Sequence, residues 1–100
     1  MRQAKVTLNL YTILLDYRGG TYIAQLSATS PAEALVLWTE QLPTQRVPGI
    51  RAATASELAF RLQQEAPVEL RGLVNAWCTS ALIRGGHALI NIVLTRADAG

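Results

Sequence analysis

Cys78 and His87 are the only cysteine and the only histidine of the chain, nine residues apart in the stretch NAWCTSALIRGGHALINIVLT, residues 75–95. A thiol beside an imidazole pairs a nucleophile with its general base, and the same two side chains are zinc ligands. Both chemistries depend on distance, and the distance depends on how the segment folds. Apolar residues alternate on both sides of Gly85-Gly86, the pattern of a β-hairpin. With those two glycines as the turn, Ile83 faces Ala88, Ala81 faces Ile90, Thr79 faces Ile92 and Trp77 faces Leu94, forming a core face. The reverse face pairs Arg84 with His87, Leu82 with Leu89, Ser80 with Asn91 and Cys78 with Val93.

In that register Cys78 stands opposite a residue six positions from His87. At ~3.3–3.4 Å per residue the separation is roughly 20 Å. A Cys–His pair must meet within about 2.6–3.2 Å, so no dyad forms within one chain. Zinc asks for three or four ligands at suitable spacing, and the carboxylates Asp16, Glu33, Glu40, Glu57, Glu65, Glu69 and Asp98 form no calcium-type loop. No catalytic residue, metal site or cofactor is nominated. Cys78 reads as a small, half-buried strand residue and His87 as a solvent-facing one beside a turn. The glycine pairs lie between strands, whereas a phosphate-cradling loop leads from a strand into a helix.

The remaining elements follow from periodicity and caps. Residues 11–28, YTILLDYRGGTYIAQLSA, read as a first hairpin, with Gly19-Gly20 as its turn and Tyr17 facing Tyr22, Leu15 facing Ala24 and Ile13 facing Leu26. Upstream, Val6, Leu8 and Leu10 have the opposite parity, so a β-bulge or the true strand start is expected at Leu10-Tyr11. Ser30, Pro31 and Glu33 form a helix-start signal, and Leu35, Trp38 and Leu42 make an apolar stripe before Pro43 ends the helix. Trp38 belongs to that stripe and reads as core. Residues 43–53 carry two prolines and a glycine and read as an irregular loop. Thr54 and Glu57 mark a second helix start, and that helix ends before Pro67.

The expected fold is a single α+β domain over residues 1–100: a two-layer ββααββ unit, with a four-stranded antiparallel sheet and both helices on one face. The order in which the hairpins join is left open. The core should include Ile13, Leu15, Tyr22, Leu35, Trp38, Trp77, Ile90 and Ile92.

Composition narrows the function classes. Half of the 100 residues are hydrophobic and 16% are charged, below the usual ~25%, which excludes a disordered chain and leaves few charges to oppose self-association. Nine basic residues against seven acidic ones give +2, scattered without a run, so neither nucleic acid nor an anionic membrane is an expected partner. One cysteine cannot form an internal disulfide, which suits a cytoplasmic location. The N-terminal stretch has two basic residues followed by apolar ones. Thr7, Asn9 and Thr12 interrupt it and no small-residue cleavage site follows, so it reads as a mature strand rather than a secretory signal. Nothing reaches the ~18 uninterrupted apolar residues of a membrane span, and no internal repeat, low-complexity tract or linker is evident.

The second face of the sheet needs an explanation. Helices cover one face, and an antiparallel face left to water should be polar. Here it carries Leu14, Ile23, Cys78, Leu82, Leu89 and Val93, interspersed with Ser80 and Asn91 and with Thr12 and Gln25. The eight residues Leu14, Ile23, Cys78, Ser80, Leu82, Leu89, Asn91 and Val93 are the interface candidates, unless loop 43–53 or the N-terminal strand folds over them. The leading expectation is a homo-oligomerising interaction or structural module, using this face or a strand edge. The alternatives are a small-molecule module at a dimer interface, with Ser80, Asn91, Gln25 and Thr12 in the pocket, and a nucleic-acid-associated module using the arginines. Residues 19–38, GGTYIAQLSATSPAEALVLW, resemble the strand-to-helix unit of HicB-type antitoxins. The proline-glycine-cysteine element of that family is missing, no DNA-binding segment follows, and no residue role is carried over.

Overall fold

The computed structural model describes residues 7–97. Of the N-terminal stretch expected to be a mature strand, residues 1–6 therefore lie outside the described residues. Strand β1 is Asn9–Tyr17, β2 is Gly20–Ala28, helix α1 is Pro31–Gln41, helix α2 is Ala52–Leu62, β3 is Val68–Glu69, β4 is Ala76–Ile83 and β5 is Gly86–Arg96. A short 3-10 turn, Leu42–Thr44, follows α1. The α+β class stands, with two corrections. The sheet has five strands rather than four, and the order is ββααβββ. The additional strand, β3, is two residues long and pairs Val68 with Cys78 and Glu69 with Trp77. It is too short to show any periodicity in sequence.

Strand order in the sheet is β2-β1-β5-β4-β3, so the two hairpins join through β1 and β5, running antiparallel. The Leu10-Tyr11 parity switch is a bulge: Leu10 pairs with Arg96 and Tyr11 with Leu94, leaving Thr95 as the extra residue.

Both turns fall one residue earlier than the glycine pairs imply. In the first hairpin the central residues are Arg18 (φ 49°) and Gly19 (φ 83°), in the second Arg84 (φ 50°) and Gly85 (φ 76°). Two positive φ angles in a two-residue loop are the signature of a type I′ turn. Tyr17 then pairs with Gly20, Leu15 with Tyr22 and Ile13 with Ala24. Likewise Ile83 pairs with Gly86, Ala81 with Ala88, Thr79 with Ile90 and Trp77 with Ile92. His87 stands opposite Leu82, not Arg84, and Cys78 opposite Asn91, not Val93. The second glycine of the second pair serves close approach: a Cβ on Gly86 would lie 2.9 Å from the Tyr17 ring. The two turns sit side by side, and the Arg18 guanidinium donates to the Arg84 carbonyl at 2.6 Å.

Helix α1 begins as its sequence predicts. The Glu33 backbone N–H donates to Ser30 Oγ at 3.1 Å, while the Glu33 carboxylate accepts from the Thr29 N–H at 2.8 Å, one residue outside a standard capping box. Helix α2 corrects its prediction. It starts at Ala52, its N-cap is Arg51 with no side-chain cap bond, and Thr54 is buried inside the helix. Ala52 and Ala53 are strong helix formers and extend the helix past the Thr54 signal.

Both helices pack on the face carrying Tyr11, Ile13, Leu15, Tyr17, Ile90 and Ile92, with Leu35, Trp38 and Leu58 facing them in one core. Tyr22 and Trp77 are only half-buried at its margins. Loop residues Val47 and Ile50 are buried in this same core. Loop 43–53 therefore packs on the helical side and does not cover the opposite face. Among the described residues, no helix is long and apolar enough to cross a membrane.

Candidate interaction surface

Alternation places every second strand residue on the face away from the helices. Reading across strands, one row runs Ile23, Leu14, Asn91, Cys78 and Val68. The row toward the bulge runs Gln25, Thr12, Val93 and Ala76, and the row toward the turns runs Thr21, Asp16, Leu89 and Ser80. Leu82 and His87 pair beyond it. All eight interface candidates named from the sequence thus share one face, in the rows just given.

Their exposure varies. Ile23 is 65% and Leu82 64% exposed, and Val93 and Leu89 follow at 38% and 36%. Leu14, Cys78 and Asn91 are half-buried and Ser80 is exposed. The polar members satisfy one another in part. Gln25 Nε2 donates to Thr12 Oγ1 at 2.9 Å, the Thr12 hydroxyl also bonds that of Thr95, and Thr21 donates to Asp16 at 2.5 Å. Asp16 is the only carboxylate in these rows. The result is a surface half apolar and nearly uncharged, open to solvent where water would favour polar residues.

Cys78 and His87 share this face without meeting. Cys78 is opposite Asn91, four residues from His87 on the same strand. At ~3.3 Å per residue that is about 13 Å, shorter than the 20 Å of the sequence register and still far beyond hydrogen-bond reach. Among the described residues no three His, Cys, Asp or Glu side chains converge as metal ligands.

Of three concavities, two reach onto this face. A cleft of about 370 Å³ between α1 and α2 is lined by Leu35, Val36, Ala59 and Leu62, with Thr39 hydrogen-bonded to its own helix at Val36 O. A groove of about 530 Å³ runs along β4, from Phe60 in the last turn of α2 and Gln64 just beyond it to Cys78, Ser80, Leu82 and Leu89 of the open face. A shallow hollow of about 310 Å³ lies beside the first turn, at Arg18 and His87. None of the three gathers Ser80, Asn91, Gln25 and Thr12. Three of the arginines are engaged within the chain. Arg84 pairs with Glu57 at 3.1 Å, Arg61 with the same carboxylate at 3.6 Å, and Arg18 is engaged with Arg84.

Sequence reasoning missed the repeated turn, Tyr17-Arg18-Gly19-Gly20 against Ile83-Arg84-Gly85-Gly86. The signal was the shared Arg-Gly-Gly, which the structure brings to one end of the sheet. No family model matches the chain, and neither does any curated protein or solved structure. The likeness of residues 19–38 to an antitoxin unit therefore rests on local features alone, a strand leading into a capped helix.

Proposed function

We propose that this chain is a homo-oligomerising interaction module, with a second copy covering the open face of the sheet. The observation that carries the reading is the exposure of Ile23, Leu82, Leu89 and Val93 together on one nearly uncharged face. The chain's own long loop is committed to the opposite side through Val47 and Ile50. A two-fold contact lets one such patch satisfy itself, so no second complementary surface is needed. Fully withdrawing one aliphatic side chain from water contributes roughly 1.5–3 kcal/mol, against an association cost of about 4–15 kcal/mol. One residue is not enough; the four, partly exposed on each of two copies, reach the range of that cost.

Light scattering on the purified protein tests this. The expected result is a mass above that of one chain at high micromolar concentration, with Leu89→Glu shifting it downward. A single-chain mass for the unmodified protein at that concentration would overturn the reading.

A further inference from the structure

The free edge of β2 carries an interface of its own. The Tyr17–Gly20 pair closes a two-residue turn, so it is hydrogen-bonded, and alternation from there directs the backbone of Tyr22, Ala24 and Leu26 toward β1. The N–H and C=O groups of Thr21, Ile23, Gln25 and Ser27 consequently point out of the sheet. Among the described residues no strand pairs with that side.

Folded proteins blunt such edges with charges, prolines, bulges or short strands. The opposite edge does so: β3 is two residues long, and one of them is Glu69. β2 uses none of these devices. It is nine residues, GTYIAQLSA, without a charge, a proline or a break in its pairing with β1. A second observation agrees. Tyr22 and Ala24 are only half-buried, whereas their β1 partners Leu15 and Ile13 are fully buried. The core layer is unfinished on this side.

We propose that the occupant is the same strand of a second copy, antiparallel, about a two-fold axis at Ala24. In this register all nine residues overlap. Thr21 meets Ser27, Ile23 meets Gln25, and each outward backbone group finds an outward group opposite. On the helical side Tyr22 meets Leu26 of the other copy, completing the layer. No like charges oppose, because the strand has none. Other antiparallel registers leave outward groups unpaired at the strand ends. The contact is made by the outward backbone of β2, whereas the open-face contact is made by side chains; Thr21, Ile23 and Gln25 border both.

Ala24 would face its own copy across a non-hydrogen-bonded pair, with Cα atoms about 4.5 Å apart, within disulfide geometry. The test therefore uses Cys78→Ser to remove the native thiol, combined with Ala24→Cys or, separately, with Ser27→Cys. Mild oxidation should double the mass of the Ala24→Cys chain on non-reducing electrophoresis. Ser27→Cys should stay single, because in this register its two copies are roughly 20 Å apart. Adding Leu89→Glu should leave the cross-link in place, which separates this contact from the open-face one. Adding Gln25→Pro should abolish it while Gln25→Ala does not, since proline removes an outward N–H and leaves the β1 ladder intact. If Gln25→Pro is misfolded, Ser27→Pro, which removes another outward N–H of β2, replaces it and should also suppress the cross-link. No cross-link at position 24, equal cross-linking at 24 and 27, or indifference to a folded Gln25→Pro would each overturn the edge contact.

Discussion

The two faces of one sheet separate side chains that are adjacent in sequence. Ile13 and Leu15 are fully buried, while Leu14 between them is half-buried on the other side. Ile90 and Ile92 are fully buried, and Leu89 and Val93 flanking them are more than a third exposed. Nothing in the side-chain chemistry of a leucine at 14 or 89 distinguishes it from one at 15. What differs is which layer lies above it. The helical face is covered by α1, α2 and the loop between them except at its β2 margin, whereas nothing in the described chain covers the other.

The sharpest way to break this comparison is to truncate on each side. Trp38 is 1% exposed at the centre of the helical layer. Trp38→Ala should cost about 3–5 kcal/mol in urea unfolding, through lost burial and the cavity left behind. Leu82→Ala on the open face should stay within about 0.5 kcal/mol in dilute protein, as for a surface change. Comparable costs at the two positions would mean that the open face is covered in the single chain.

The turns offer the next effect. Gly86→Ala places a methyl 2.9 Å from the Tyr17 ring, which packs against the core. Overpacking of this kind costs about 1–3 kcal/mol. Gly85→Ala meets no neighbouring atom but must hold φ 76°, at about 1 kcal/mol. Measured midpoints should therefore place Gly86→Ala below Gly85→Ala. The reverse order would favour a turn centred on the glycine pair.

The same positions show how much of the fold was legible. Parity was readable in the four long strands, whose inward sets follow from their alternation. Register was not. Moving a turn by one residue changes every pairing by two, and a two-residue slip keeps each side chain on its own face. The apolar pattern therefore fits either register, and only the positive φ of Arg18 and Arg84 decides between them. Capping was readable where proline reinforced it, at Ser30 and Pro31, and misleading at Thr54, where Ala52 and Ala53 continued the helix backwards. The candidate surface followed from parity and so survived the register error. The Cys78–His87 distance, which depends on register, did not. The free edge of β2 needed strand order, which local sequence does not encode.

The smallest expected effect discriminates most finely between a solvent face and an interface. Cys78 is half-buried between Asn91 and Val68 in the central row of the open face. Cys78→Ala removes one sulfur atom, and in dilute protein the cost should be about 1 kcal/mol or less, as for a small half-buried side chain. A contact made only between copies is governed by mass action, so its contribution to stability rises with protein concentration. If the open face meets a second copy, the cost of Cys78→Ala should be smallest in dilute solution and grow as concentration is raised. Thermal midpoints of the two proteins, measured across a wide concentration range, would then diverge. Parallel midpoints across that range would place Cys78 outside any such contact.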